Sequence, residues 1–229
     1  MKIKWSGIAI TDGRGKAGGS VASRNTFGAY IRNKVTPVNV DTVAQQTVRA
    51  FFLLVSETWR TLTQVQRDAW ITAAPDWAEN DIFADSVAPT GFSLYMRLNL
   101  NLVNIGFAQI TVPPAQIEVA SLETLSLDAD TGGGTMTATF TATPVPADQV
   151  LVFQSTAGQS AGKQFVKSEY RKIDNIATGE ASPQEVGPAY ESVFGILPAV
   201  GSKVFIQGYF VDSLSGQVSS RLAASVLAA

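Results

Sequence analysis

The spacing of apolar residues changes at one place along the chain, and this change limits the folds open to it. Before Val112-Pro113-Pro114 apolar residues recur with a helical period, whereas beyond it short runs alternate between apolar and polar residues. Paired prolines lack backbone donors and disfavour a helix in the residue before them, so they mark a boundary. The sequence therefore predicts a multidomain α+β protein, with helices preceding strands.

The residues from 115 to 229 are predicted to form an all-β domain. Met136, Ala138 and Phe140 alternate with threonines, as in a strand that buries one face. The Gly-rich segment 130–134 and the segment 213–216 have the composition of hairpin turns. About seven short strands in roughly 115 residues fit an immunoglobulin- or fibronectin-like sandwich, and an up-and-down barrel is the alternative.

A small helical domain is predicted over residues 41–108. Asp41 occupies the N-cap position of a first helix. The apolar stripe of that helix comprises Val48, Phe51, Phe52, Val55 and Trp59. These spacings indicate one buried face along the whole helix.

Two further helices are predicted before the boundary. Thr63 and Gln66 have the spacing of a capping box, and Pro75 ends the helix that follows. Its predicted inner face comprises Val65, Ala69, Trp70 and Ala73. Thr90 is the expected N-cap of the third helix, which ends at Gly106. Its predicted buried face comprises Leu94, Leu98, Leu102 and Ile105.

Residues 1–40 are predicted to form an extended basic arm. They contain seven basic residues and one acidic residue, a net charge of +6, whereas residues 41–110 and 111–229 carry −3 and −5. Many glycines make regular structure costly there, yet the arm carries aromatic side chains that a plain linker lacks. We expect the arm to bind an acidic partner surface, and nucleic acid is a further candidate. The predicted contact residues are Trp5, Arg14, Arg24, Phe27, Tyr30 and Arg32.

Composition argues against catalysis and metal binding. The chain has no cysteine and no histidine, so the commonest nucleophile–base pairs and transition-metal ligands are missing. The segment 157–164 superficially resembles a phosphate-binding loop, but Gln164 replaces the metal-binding hydroxyl and a strand is expected to follow. The acidic residues at 76, 79, 81 and 85 depart from calcium-loop spacing. We therefore predict no enzyme activity, no cofactor and no metal.

Membrane association is not expected either. The most apolar stretch, residues 50–55, is six residues long, far short of the roughly 18 that a membrane span needs. The first residues lack the apolar core of a secretory signal. The expectation is a protein made in the host cytoplasm and used without export.

Three segments resemble an arrangement in small structural virion proteins of tailed bacteriophages, of the crAss-like and Bacteroidetes phage type. They are the Arg–aromatic–Arg region around residues 30–32, the Trp-bearing helices around Trp59 and residues 62–70, and the Leu/Asn-rich helix at 92–102. The resemblance covers roughly residues 20–105. It implies a structural role in the particle and supplies no catalytic residues.

The expected function is therefore structural: a capsid-associated or head–tail connector component of a virion. Its expected partners are other virion proteins and copies of itself in an oligomer, reached through the arm. The alternative is a carbohydrate- or receptor-binding β-sandwich of a fibre or cell surface. The aromatic side chains available for sugar stacking in that case are Phe165, Tyr170, Tyr190 and Tyr209, for which a core position is the commoner interpretation.

Overall fold

The chain folds into two units, Met1–Gln46 and Thr47–Ala229, which are described separately. The structure is a computed structural model, and it describes residues 14–25, 28–38, 40–80, 85–130 and 132–229. It combines four α-helices with several antiparallel sheets within these residues, which confirms the α+β prediction. The predicted boundary near residue 110 falls inside the second unit, so the three-domain layout is not confirmed.

The first unit contains a three-stranded antiparallel meander instead of a wholly extended arm. Its strands are β1 (Gly15–Ala17), β2 (Ser20–Asn25) and β3 (Gly28–Asn33), in that order in the sheet. The glycines permit this fold because Gly18 has φ +56° in the β1–β2 turn and Gly28 has φ +110° at the start of β3. Lys34 N donates to Gly19 O at 2.7 Å, which closes the meander.

Three helices follow. They are α1 (Val43–Thr61), α2 (Gln64–Ala73) and α3 (Gly91–Asn104); a 3-10 turn (Ala74–Trp77) and two short paired strands, β4 (Glu79–Asn80) and β5 (Ser86–Val87), lie between α2 and α3. The capping box of Thr63 and Gln66 is confirmed, as is the Thr90 cap of α3. The prediction of Asp41 as the first cap is wrong: Thr42 Oγ1 accepts from Gln45 N at 3.3 Å.

The helices pack around an aromatic cluster. Trp70 and Tyr95 are fully buried, with ring centroids 5.2 Å apart, and Trp59 packs 5.0 Å from Tyr95. The predicted face of α3 is confirmed, since Leu94, Leu98, Leu102 and Ile105 are all buried.

Two predicted helix faces are wrong in part. On α1, Val55 is buried but Val48 and Phe52 are exposed, because the first three turns extend beyond the helical core. On α2, Val65 is 79% exposed although Trp70 of the same predicted face is fully buried. Val65 precedes Trp70 by five residues, which places it about 140° around the helix from Trp70 and away from the core.

The described residues after Asn104 form seven strands and one helix. They are β6 (Thr124–Asp130), β7 (Thr135–Thr141), β8 (Gln149–Ser155), β9 (Arg171–Ile176), β10 (Gln184–Glu185), α4 (Gly187–Phe194), β11 (Lys203–Asp212) and β12 (Leu222–Leu227). The sheet orders are β10-β7-β6 and β12-β11-β8-β9, with antiparallel pairing throughout. The predicted alternation of Met136, Ala138 and Phe140 is confirmed, and all three are buried.

One buried cluster receives side chains from both sheets. β7 contributes Phe140, β8 contributes Phe153 and β11 contributes Phe210, and the Phe140 and Phe153 rings meet edge to face at 5.9 Å. Tyr190 of α4 covers the same cluster, and its hydroxyl donates to Thr156 O at 3.2 Å. This two-sheet core is the largest apolar cluster among the described residues.

α3 joins the helices to the sheets. Ile105, just after α3, packs with Val150, Val152, Tyr209 and Val211 on the other face of the larger sheet. The polar connections are few but direct: Asn101 Nδ2 donates to Gly216 O at 2.8 Å, and the Lys172 ammonium donates to Asn104 O. Ile105 and these hydrogen bonds therefore connect the helices to the sheets, whereas the helical core and the two-sheet core are separate buried clusters.

The segment after α3 is held along its length. Asn99 is fully buried; its Oδ1 accepts from Ile110 N at 2.7 Å and its Nδ2 donates to Ile110 O at 3.3 Å. Trp70 Nε1 donates to Thr111 O at 3.0 Å, and Ile117 N donates to Gln217 Oε1 at 2.9 Å. A segment with these partners is a fixed connection rather than a flexible linker.

Candidate functional site

The β1–β3 meander gathers the described cations of the predicted arm. The register pairs Lys16 with Val21 across β1 and β2, and Val21 with Arg32 across β2 and β3. Directly paired residues of an antiparallel sheet share a face, and neighbouring strands lie about 4.8 Å apart. Lys16 and Arg32 therefore flank Val21 on one face, about 10 Å apart in the strand-to-strand direction.

Tyr30 shares the face of these two cations. It pairs with Ser23, two residues along β2 from Val21, and successive side chains of a strand alternate between faces. The residues of this Tyr30 face are Lys16, Val21, Ser23, Asn25, Gly28, Tyr30 and Arg32. A half-buried ring beside exposed cations offers both apolar area and positive charge to a partner.

The opposite face of the meander has a different character. Arg24 pairs with Ala29, and Ala22 pairs with Ile31, so this face combines one cation with small and apolar side chains. Arg24 is exposed, whereas Ile31 is half-buried.

The meander and the residues that follow it up to 40 contain basic residues and no acidic residue. From residue 13 to residue 40 the chain contains no Asp or Glu. The cations described in this stretch are all exposed; they are Arg14, Lys16, Arg24, Arg32 and Lys34. A surface of one sign attracts partners of the opposite sign over distances of about a Debye length, roughly 8–10 Å in physiological salt.

The structure brings together only part of the predicted contact set. Tyr30 and Arg32 share a face, Arg24 lies on the other one, and Arg14 precedes β1. Trp5 and Phe27 lie outside the described residues. Sequence reasoning missed Lys16; the Gly18-Gly19 pair could have revealed it, because this two-residue hairpin signal places Lys16 beside Val21.

The aromatic side chains considered for sugar stacking separate into core and surface. Tyr190 and Tyr209 are buried, and burial raises the pKa of both phenols, which confirms the core interpretation for these two. Tyr170 is half-buried. Phe165 is 76% exposed in the long β8–β9 loop, near the ion pair of Lys163 with Glu169 at 3.0 Å.

Ionisable groups of the second unit form contacts within the fold. Burial lowers the pKa of Lys172, whose ammonium meets the last carbonyls of α3, while Asp174 partly opposes that shift. Within the described ranges no group of three or more Asp or Glu side chains is placed to hold a metal ion. Of the acidic residues at 76, 79, 81 and 85, the structure describes Asp76, Glu79 and Asp85, and Asp81 lies outside the described residues. Glu79 forms an ion pair with Arg97.

Comparison with solved structures gives weak similarity. No family model and no curated protein matches the chain. The chain is similar to an Fn3-like protein from Clostridium thermocellum, with a TM-score of 0.31 and 17% sequence identity over 48% of this chain and 93% of the other. Among the described residues, none of the helices has the length and apolar character needed to cross a bilayer.

Proposed function

We propose that this chain is a structural component of a bacteriophage virion, capsid-associated or in the head–tail region, and not an enzyme. The observation that supports the proposal is that one chain combines a small basic unit with a larger acidic one. A basic meander without acidic residues between 13 and 40 precedes a body, residues 41–229, with 10 basic and 18 acidic residues. Opposite charges at the two parts of each copy favour contacts from one copy to the next.

The Tyr30 face is the proposed contact surface. Lys16 and Arg32 can form charge-assisted hydrogen bonds with carboxylates, and Tyr30 adds apolar contact at the same place. The acidic body of another copy or an acidic virion protein is the proposed partner, and nucleic acid would satisfy the same cations through its phosphates.

The second unit is the proposed rigid body. Its helices pack on the larger sheet through Ile105 at the end of α3, and the connection to β6 is hydrogen-bonded. We propose that its two sheets form an immunoglobulin- or fibronectin-like sandwich, since seven short antiparallel strands in two sheets surround one core. The proposed location is the virion.

Charge reversal tests the contact surface. In particles assembled with the variant Lys16→Glu/Arg32→Glu, we expect incorporation to fall at least about tenfold. Each exposed charged contact that is lost costs up to about 1 kcal/mol, the reversed charges add repulsion, and many copies act together. Mass spectrometry of purified particles measures the incorporated copies. Arg24→Glu reverses a charge on the opposite face and Lys167→Glu reverses one in the β8–β9 loop. Incorporation of the double variant at the level of Lys167→Glu would contradict the proposal.

A carbohydrate-binding role remains the second candidate because Phe165 is exposed on a long loop. If the loop stacks against sugars, full-length protein should bind a glycan array and Phe165→Ala should lose that signal. Phe107→Ala removes another exposed ring, outside the loop, and is the matched control. An array without signal for the unaltered chain would reject this candidate and leave the virion proposal unaffected.

A further inference from the structure

The first three turns of α1 are exposed except at Phe51. Residues 43–50 and 52–54 are all exposed, and Phe51 is half-buried. Five large apolar side chains of these turns are exposed to solvent: Val43 at 78%, Val48 at 65%, Phe52 at 51%, Leu53 at 56% and Leu54 at 48% exposure. Large apolar side chains grouped on one exposed segment mark an interaction surface.

Four of these side chains occupy two opposite faces of α1. At about 100° per residue, Val48 and Phe52 lie within roughly 60° of the direction of Val55, whereas Leu53 and Leu54 point about 160° and about 100° away from it. Val55 is fully buried against the helical core. The first face therefore continues an internal packing stripe beyond the end of its partners, and the second face has no counterpart in that stripe.

The exposed turns also lack the composition of a self-sufficient helix. Val43, Thr47, Val48, Phe51 and Phe52 are β-branched or aromatic and have low helix propensity. A helical stretch of about 12 residues is marginal in water without packing. A neighbour that covers both faces would supply the missing stabilisation.

Two opposite apolar faces on one short segment suit a second copy better than another partner. In a head-to-tail contact, the Val48/Phe52 face of one copy meets the Leu53/Leu54 face of the next, and repetition gives a ring when the rotation from copy to copy closes. Residues 43–56 carry a single charge, Arg49, so identical helices approach with little like-charge repulsion. The four side chains expose roughly 350–400 Å² together, about half of the roughly 800 Å² that one partner contributes to a standard interface. The polar positions of the same turns supply the rest.

We propose that α1 is a self-association helix that joins copies of this chain head to tail into a closed ring. The surface is distinct from the Tyr30 face, so this proposal and the virion proposal can fail separately. A two-fold dimer would use one face twice and leave the other face exposed.

Paired face variants of the full chain test this arrangement. Variant A is Val48→Gln/Phe52→Gln and variant B is Leu53→Gln/Leu54→Gln. Light scattering after size exclusion should show the unaltered chain as an oligomer larger than a dimer and each variant alone as a monomer. A mixture of A and B retains one intact interface, so it should give a one-to-one heterodimer and nothing larger.

The control variant Val65→Gln/Val112→Gln makes the same chemical change at exposed positions elsewhere and should keep the oligomer. Circular dichroism and thermal melting establish that A and B remain folded, as expected because neither touches Val55 or Leu62. If A or B fails to fold, Val48→Thr/Phe52→Tyr and Leu53→Thr/Leu54→Thr replace them, with the same expectations.

Four outcomes would overturn the proposal. They are a monomeric unaltered chain at all concentrations, an oligomer that survives both A and B, a mixture that yields no heterodimer, and protection of residues 48–54 from hydrogen exchange by the chain's own first unit. The last is recognised in monomeric protein, because deletion of residues 1–40 would then remove the protection. Loss of particle incorporation by the Lys16/Arg32 variant has no bearing on any of these results.

Discussion

Gly216 shows how a single missing side chain sets the approach of helix and sheet. It lies in the turn after β11 with φ +73°, and a Cβ built there would stand 2.2 Å from Leu98 O and 3.1 Å from Leu102 Cγ. Leu98 O belongs to the backbone of α3 and cannot move without moving the helix. A glycine is required here both for its backbone conformation and for the close packing.

We expect Gly216→Ala to destabilise the protein by about 3 kcal/mol or more, because strain at positive φ adds to a backbone clash. Gly195→Ala is the matched control: Gly195 has φ +86° at the end of α4, and a Cβ there meets nothing within 4 Å. It should cost about 1 kcal/mol. Urea unfolding measures both, and equal effects would show that the close approach to α3 contributes nothing.

Tyr95 makes the stability of the helical core depend on pH in the alkaline range. Burial raises the pKa of its phenol to about 12, and its hydroxyl donates to Gln109 Oε1 at 3.1 Å. In the unfolded chain the phenol ionises near 10, so the folded state holds its proton over a window in which the unfolded state has lost it. Stability is therefore complete below about pH 10 and falls between about pH 10 and 12.

Relative to the Tyr95→Phe variant, the unaltered protein should lose about 1–2 kcal/mol more unfolding free energy between pH 10 and pH 12. The variant loses the hydrogen bond at every pH but has no phenol to ionise. Tyr30→Phe, outside the helical core, should reproduce the alkaline loss of the unaltered protein. Parallel curves for Tyr95→Phe and the unaltered chain would contradict the assignment.

At the scale of elements, local sequence signals predicted where helices begin better than they predicted which helix residues are buried by neighbouring elements. The Thr63–Gln66 box and the Thr90 cap act within one turn, so the sequence suffices to place them. The burial of Val48 and Phe52 depends instead on how far neighbouring helices reach, and no local pattern carries that information. The same stripe that buries Val55 continues past the last neighbour, and this is the origin of the self-association proposal.

Strand positions were also predicted well only where the signal is local. β7 lies where alternation predicted it, whereas the strand expected after the segment 157–164 begins only at Arg171. α4 was not anticipated, although Pro188 in its first turn and Gly195 at its end, with φ +86°, are ordinary helix boundary signals. The cationic Tyr30 face depended on strand register, which the Gly18-Gly19 turn fixes.

At the scale of the molecule, the sequence indicated a basic N-terminal part and an acidic remainder. It did not indicate that the helices and the sheets are packed and hydrogen-bonded to each other. The prolines at 113 and 114 suggested a domain boundary, yet the chain around them is hydrogen-bonded to both sides. Such bonds depend on Asn99 and Gln217, which are far apart in sequence and carry no local signature. The second unit should consequently unfold as one cooperative body.

Leu94→Ala tests this cooperativity. Leu94 is fully buried among the helices, and its truncation should cost about 3 kcal/mol. If helices and sheets unfold together, the slowest-exchanging amides of β11 should lose the same free energy of protection, although β11 belongs to the sheet core. Val65→Ala, at a 79% exposed position of α2, should change neither region. Helical protection that falls while that of β11 stays constant would show that the two parts unfold independently.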